Sequence, residues 1–345
     1  MIKLFSAILA LSVSLHAHMI QRDKSDSTDR SQDVKATGTK FVHPGIFVDR
    51  SQLRRMRSKV QAGEHPWTDA YTAMMKHRYA KITAPMPHKN VKCGAYSKPD
   101  DGCSDERSNA MAAYLNALAW FTHKDQSKAD LTISIMNGWA KTIKQHTGDN
   151  APLQAAWAAS LWARAAEILR YSGAGWTSDD IESFKRMLKH VYLPIVKHGS
   201  KKPNNWELSL MEASISIAVF LNNRTLYEDS LTRFIKAASY YIYLKKDGSE
   251  PKRPQGTTKE TLVNWWHGQT KFLENGIPME ACRDLMHSSY GIASISHVAE
   301  TARIQGRDLY SEDTGTRLRY ALEFLTKYDT KRGSTNPPAW LCNAF

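Results

Sequence analysis

The chain has 345 residues, and its 47 Lys and Arg residues exceed its 34 Asp and Glu residues, which gives a net charge of +13. A chain of this length can bury a sizeable core, and no apolar run after the N-terminus approaches membrane-spanning length. The basic surface favours an anionic partner. Because the sequence shows no zinc-finger spacing and no DNA- or RNA-reading motif, an acidic polysaccharide fits better than nucleic acid. A basic protein kept soluble by its charge is the other interpretation.

The N-terminus has the pattern of an export signal. Lys3 precedes a mostly apolar run, Leu4–Leu15, which is too short to span a bilayer and is followed by a small-residue cleavage pattern. We therefore predict a signal peptide at 1–17 and a secreted or periplasmic protein, with a retained N-terminal anchor as the alternative. Residues 18–40 are polar and charged, which predicts a disordered linker. A single catalytic domain is predicted at 41–345.

Most of this domain is predicted to be helical, because apolar residues recur at three- and four-residue steps. The predicted helices are 50–62, 66–82, 108–122, 126–146, 151–172, 178–198, 206–221, 225–244, 287–305 and 313–328. Helices of this length with short connections form antiparallel hairpins, and hairpins closed into a ring form an all-α fold, the α/α toroid, here an incomplete barrel with a central cleft. An open superhelix is the alternative, because no fixed repeat length decides between them.

Two stretches interrupt the helical pattern. One is a loop at 83–105, where Cys93 and Cys103 flank a turn-rich segment and are predicted to form a disulfide. Cys282 and Cys342 would then pair by elimination, although Cys282 could instead be a buried apolar residue. The other is the long non-helical stretch 245–281, which carries a Trp-Trp-His sequence. A long loop inside a helical domain is often functional.

The segment from Glu280 to Gly291 is the most informative part of the sequence. It places Arg283, His287 and Tyr290 at intervals of four and three, which on a helix puts the three side chains on one face. Eliminative cleavage of a uronic-acid polymer must neutralise the carboxylate, remove the proton at C5 and protonate the leaving oxygen on C4. Arg283 can hold a carboxylate in a bidentate pair. Tyr290 can be base and acid if neighbouring cations lower its pKa.

Each of these residues also has an ordinary structural interpretation. Arg283 can form an ion pair with a neighbouring carboxylate, and Tyr290 can be a packed amphipathic side chain. Asn205 can cap the helix that follows it. His267 lies in a Trp-rich segment that suits stacking on a sugar ring and equally suits core packing. The convergence of all four residues favours a functional site.

Three segments together resemble the alginate lyase superfamily: Asn204 to Glu207, Trp266 to Gln269, and Cys282 to Gly291. The resemblance covers 41–328 and is nearest to polysaccharide lyase family thirty-eight, with family five more distant. It implies that Asn205 and Arg283 neutralise the substrate carboxylate, that Tyr290 is base and acid, and that His267 assists. Family five places a catalytic His where this chain has Trp206.

The sequence therefore predicts a polysaccharide lyase that cleaves polymannuronate (alginate) or glucuronan by β-elimination. The predicted catalytic residues are Tyr290, His267, Arg283 and Asn205. The predicted substrate-binding residues are Asn204, Trp206, Trp265, Trp266, Gln269 and His287. The predicted chemistry requires no metal and no cofactor, and no metal-ligand spacing is present.

Two other functions are compatible with the same sequence. A glycoside hydrolase on the same toroid would need two carboxylates across the cleft, for which the candidates are Glu207, Glu212, Glu280 and Asp284. A non-catalytic protein that binds acidic polysaccharide would need none of them.

Overall fold

The computed structural model describes residues 40–328 and 336–343. The predicted signal peptide at 1–17 and all but the last residue of the predicted linker at 18–40 lie outside the described residues. Within the described ranges, no helix is long and apolar enough to cross a membrane. The described chain begins with a short antiparallel hairpin of β1 (Gly45–Ile46) and β2 (Val48–Asp49).

Helices make up most of the described chain. They are α1 (Arg50–Gln61), α2 (Trp67–Lys76), α3 (Cys103–His123), α4 (Gln126–Thr142), α5 (Ala151–Arg170), α6 (Ser178–Met187), α7 (Leu193–Val196), α8 (Asn205–Phe220), α9 (Arg224–Tyr241), α10 (Lys259–Trp265), α11 (Leu285–Ile304) and α12 (Asp313–Lys327). A one-turn π-helix, Leu188–Tyr192, joins α6 to α7, so the predicted helix at 178–198 is continuous but distorted. The helix predicted at 66–82 ends at Lys76 and gives way to a 3₁₀ turn, Arg78–Lys81.

The helices form two concentric layers. In the inner layer α3, α5, α8 and α11 pack side by side in that order, and α4, α6, α9 and α12 pack outside them. Because one antiparallel outer helix separates each inner helix from the next, the inner helices run parallel and begin at the same end of the ring. This arrangement is the predicted α/α toroid, and that prediction is confirmed.

The inner helices are buried along nearly their whole length. Buried alanines, among them Ala155, Ala159 and Ala163, line one half of α5 and let its neighbours approach closely. A helix that contacts other helices on several sides is buried along most of its length. The hairpin β1–β2 lies at the far end of the ring, where the Gly45 amide donates to the Glu167 carboxylate at 3.0 Å. The inner helices begin at the other end, where Asn205 is the first residue of α8 and Asp284 precedes α11.

The loop predicted at 83–105 contains a small sheet. Strand β3 (Asn90–Cys93) pairs antiparallel with β4 (Asp100–Asp101) and parallel with β5 (Gln145–Thr147). The predicted disulfide Cys93–Cys103 is present, with an S–S distance of 2.03 Å. Helix α3 therefore begins at Cys103, five residues before the predicted start at 108. The chain turns into the helix at Gly102, whose φ of 79° favours glycine.

The long stretch 245–281 is anchored at several points. Its flanking strands β6 (Ile242–Tyr243) and β7 (Ile277–Pro278) pair antiparallel, and the short helix α10 lies between them, where no helix was predicted. The buried Arg317 on α12 donates to Asp247 through both terminal nitrogens, at 2.7 and 2.6 Å. A second disulfide joins Cys282 to Cys342, which settles the pairing left open by the sequence. The stretch is therefore held in place against the helical ring.

Candidate active site

Asn205 stands at the start of inner helix α8 with an amide that nothing in the described chain satisfies. Its side chain is 1% exposed, and neither Oδ1 nor Nδ2 has a hydrogen-bond partner among the described residues. The capping role suggested as its ordinary function belongs to Asn204, whose side chain accepts a hydrogen bond from the Trp206 amide at 3.2 Å. A buried amide without a partner is costly in a folded protein, so its retention is typical of a ligand contact.

A buried carboxylate connects Asn205 to Arg283. Glu280 is 0% exposed, and its Oε2 accepts from the Asn205 backbone amide at 3.2 Å. Its Oε1 accepts from Arg283 Nη1 at 3.0 Å. Within the part of the chain that the structure describes, the other guanidinium nitrogens of Arg283 have no hydrogen-bond partner, and the side chain is 31% exposed. Glu280 therefore holds Arg283 beside Asn205 while leaving donors for a ligand.

Tyr241 supports this carboxylate from the outer layer. Its hydroxyl donates to Glu280 Oε2 at 3.2 Å. The close approach of Tyr241 to α11 is possible because residue 291 is glycine: a Cβ there would lie 2.3 Å from Tyr241 Cζ. The glycine that follows Tyr290 therefore has a structural role, because it lets Tyr241 reach Glu280.

The predicted common face of Arg283, His287 and Tyr290 is only partly correct. Helix α11 begins at Leu285, so Arg283 lies in the turn before it, while His287 and Tyr290 are on its first turns. Asp284 is the N-cap and accepts from the His287 amide at 2.7 Å. The same carboxylate contacts His287 Nδ1 at 2.7 Å, which directs Nε2 of the ring away from Asp284.

Tyr290 is a residue of α11, and its side chain packs against α5. Its ring is 5.4 Å from that of Trp157 and 5.9 Å from that of His287. Burial raises the pKa of Tyr290, and the negative charge of Asp284 raises it further, whereas the positive charge of Arg107 opposes both. The cation Arg107 therefore lowers this pKa as expected, but burial and Asp284 outweigh it and the pKa is raised.

His267 completes the cluster from the loop that follows α10. Its backbone has a φ of 52°, which is uncommon for a residue with a side chain. Burial lowers the pKa of His267, and although Glu280 opposes this, the positive charges of Arg283 and its neighbours lower it further. The imidazole is therefore neutral at neutral pH and can donate from one nitrogen and accept at the other.

Arg107 and Trp157 are the members of the site that sequence reasoning missed. Arg107, in the first turns of α3, donates to Gln154 Oε1 at 2.5 Å, and Gln154 donates to Glu106 Oε2 at 2.5 Å. Glu106 is fully buried and also contacts His146 Nε2 at 2.8 Å. This chain of hydrogen bonds fixes the guanidinium near Tyr290. No local pattern marks either residue, because only the ring brings α3 and α5 beside α11.

Several predicted substrate contacts have other roles. Trp266 is 0% exposed and packs against Phe272, so its burial is at odds with the predicted sugar contact. Gln269 is also buried, and it donates to the Trp340 carbonyl and accepts from the Cys342 amide. It therefore ties the loop to the C-terminal segment instead of facing a ligand. Trp206 and Trp265 are partly buried against the core.

Residues 40–328 and 336–343 contain no cluster of His, Cys, Asp or Glu that could hold a metal ion. The carboxylates considered for hydrolysis are each engaged by basic side chains. The pairs are Glu207 with Arg233, Glu212 with Arg164, Glu280 with Arg283 and Asp284 with His287.

Solved structures with a similar fold are alginate lyases. Alginate lyase A1-III from Sphingomonas species A1 is 15% identical, with a TM-score of 0.54 over 82% of this chain and 80% of that chain. A Tyr→Phe variant of alginate lyase A1-III complexed with tetrasaccharide is 16% identical, with a TM-score of 0.58 over 85% and 78%. An alginate lyase from Bacteroides ovatus is 15% identical, with a TM-score of 0.55 over 87% and 88%. No curated protein matches the sequence.

The sequence profile of the alginate lyase family matches residues 55–340. With the toroid described above, this match defines the protein as a polysaccharide lyase. More particularly, the chain belongs to the alginate lyase family.

Proposed function

We propose that the protein is an exported lyase, with its catalytic domain at 41–345, that cleaves polymannuronate or glucuronan by β-elimination. The observation that carries this proposal is the buried, unpartnered amide of Asn205 held beside Arg283 through Glu280. An amide and a guanidinium that converge in this way are suited to a carboxylate. The tetrasaccharide complex of alginate lyase A1-III supports an oligosaccharide as the ligand class.

Neutralisation of the carboxylate comes first in this mechanism. Asn205 Nδ2 and the free nitrogens of Arg283 donate to the uronate carboxylate, and the neutral His267 adds a further donor. These donors are already in place before substrate binds, so no reorganisation is needed as charge moves onto the carboxylate. The proton at C5 of the sugar thereby becomes acidic enough to be removed.

Tyr290 then acts as base and acid. Its phenolate takes the C5 proton, the C–H electron pair forms the C4–C5 double bond, and the C4–O bond breaks. The phenol returns the proton to the leaving oxygen, so the products are an unsaturated uronate and a new chain end. The raised pKa of Tyr290 makes the phenolate scarce but strongly basic, and Arg107 moderates that effect.

The stereochemistry of the sugar decides which polymers suit one tyrosine. In D-mannuronate and D-glucuronate the C5 proton and the C4 oxygen lie on the same ring face, so Tyr290 alone can serve both. In L-guluronate and D-galacturonate they lie on opposite faces and require a second group. By the resemblance to family five, Trp206 stands where such a His would be, and His287 Nδ1 is occupied by Asp284. We therefore expect syn-elimination on the first two polymers.

The test is a panel of four polymers followed by ultraviolet absorbance, because unsaturated uronates absorb and hydrolysis products do not. We expect rates on polymannuronate or glucuronan to exceed those on polyguluronate and polygalacturonate. Tyr290→Phe should nearly abolish turnover with the fold intact. Tyr71→Phe is the matched control, because Tyr71 contacts His123 at the far end of α3. Preference for polyguluronate, or a normal rate in Tyr290→Phe, would exclude Tyr290 as sole acid and base.

A further inference from the structure

A cavity lies at the far end of the ring, away from Tyr290. It has a volume of about 220 Å³ and is formed where the start of α9 meets the turn after α11, between Arg224, Tyr227 and Arg307. Helix α11 carries Tyr290 near its start and ends at Ile304. At 1.5 Å per residue, the cavity is about 20 Å along this helix from Tyr290.

Two buried donors in this cavity lack acceptors. Tyr227 is 2% exposed, and its hydroxyl has no hydrogen-bond partner among the described residues. Arg224 Nε is also buried without a partner in the described chain. Burial raises the pKa of Tyr227, so the phenol keeps its proton and remains a donor. Both groups can therefore donate to an acceptor from outside the described chain.

Two guanidinium groups at the cavity can interact with an anionic acceptor. The guanidinium of Arg224 is fixed between rings, 4.3 Å from the centroid of Phe41 and 5.3 Å from that of Tyr227. Arg307 provides a second cation at the rim, and its partner is Glu312 at 3.0 Å. Glu228 is the one opposing charge of the lining: it lies 3.3 Å from Arg224 Nη1, and its side chain is 53% exposed, so it can turn outward.

We propose that this cavity is a second, non-catalytic site for one uronate residue of the polymer. The sugar carboxylate accepts hydrogen bonds from the Tyr227 hydroxyl and Arg224 Nε. A water molecule occupies roughly 30 Å³ of liquid, so the cavity holds several waters or a single sugar ring. The nature of the polymer rests on the proposed function, but the recognition of a carboxylate does not.

Two contacts on one chain would raise the apparent affinity for long substrates. Once the cleft holds one part of the polymer, the second contact becomes intramolecular and is favoured by a high effective concentration. Oligomers too short to reach both sites gain nothing. A second site therefore predicts a length-dependent KM with a length-independent kcat.

The first test measures binding of the monosaccharides D-mannuronate and D-glucuronate, with mannose as the uncharged comparison. Titrations are made in Arg283→Ala, where the carboxylate contact of the cleft is removed. We expect added Tyr227→Phe to weaken uronate binding about tenfold without lowering the Tm, because the hydroxyl has no protein partner to lose. Glu228→Gln should strengthen binding, because it removes a repulsive charge. Equal binding of mannose, or no effect of Tyr227→Phe, would overturn the proposal.

The second test compares KM for long polymer with KM for a trisaccharide. Tyr227→Phe should raise KM several-fold on polymer and leave kcat and the trisaccharide KM unchanged. An unchanged polymer KM would exclude a contribution of the cavity to catalysis on polymer. If the protein cleaves no polyuronate, the proposed function fails, and the titrations alone decide whether the cavity binds uronate.

Discussion

Replacing Asn205 with leucine is expected to slow the enzyme and stabilise its fold at the same time. The side chain is almost completely buried, and neither amide atom has a partner in the described ranges. Leucine has a similar size and no polar group, so it removes the unfavourable burial without opening a large void. The two effects have opposite signs because the amide serves the ligand and not the fold.

The magnitudes follow from the amide's surroundings. A buried amide without a hydrogen bond costs about 1–3 kcal/mol, so Asn205→Leu should raise the free energy of unfolding by up to that amount. For a domain of this size, each 1 kcal/mol moves the Tm by about 2 °C. Loss of one preorganised donor to a developing negative charge typically lowers kcat by about a hundredfold to a thousandfold.

Two measurements on the same preparation test this prediction. Thermal unfolding tests the gain in stability, and initial rates on polymannuronate or glucuronan test the loss of activity. Asn204→Ala provides the opposite pattern: it removes the cap of α8, which should cost about 1 kcal/mol of stability and little of the rate. If Asn205→Leu instead lowers the Tm and keeps the rate, the amide is a structural group satisfied by water, and the carboxylate-binding argument is wrong.

Three further outcomes are expected. Burial raises the pKa of Tyr290, and its phenolate is the reactive form. The value of kcat/KM should therefore rise about tenfold per pH unit through the mildly alkaline range. A plateau below about pH 8 would contradict this. Arg107→Gln removes the cation that opposes this rise in pKa, so the alkaline limb should move to higher pH, and an unmoved limb would show that Arg107 does not act on Tyr290. Changing both Cys282 and Cys342 to Ser should lower the free energy of unfolding by about 4 kcal/mol, because the two cysteines are 60 residues apart in sequence. The same change should lower kcat roughly tenfold by loosening Arg283. An unchanged kcat would show that the loop holds its position without the disulfide.

Sequence periodicity was sufficient to predict the helical layers, because an amphipathic or wholly apolar repeat reports burial directly. It was less accurate where side chains and turns set the boundaries. The early start of α3 depends on the turn at Gly102 and the disulfide at Cys103, and the start of α11 depends on the cap at Asp284. These are single-residue events, which a periodic pattern does not register.

The candidate site could be predicted only in part. Asn205, Arg283, His267 and Tyr290 were found because their short segments resemble a known family, and the structure places the first three around Glu280. Arg107 and Trp157 could not be found from the sequence. They are far from Tyr290 along the chain and become its neighbours only when the ring forms. The burial of Trp266 could not be predicted either, because a tryptophan in a loop has the same sequence pattern whether it faces a ligand or the core.

The common direction of the inner helices α3, α5, α8 and α11 has a consequence for how this kind of enzyme diversifies. Each helix start carries a partial positive charge from its peptide dipoles, and all of these starts lie at the same end of the ring. This attraction for acidic polymers comes from the backbone, so it does not depend on most of the side chains. The loops between the helices can therefore vary during evolution and change which uronate is accepted, while the scaffold retains its general affinity for anions.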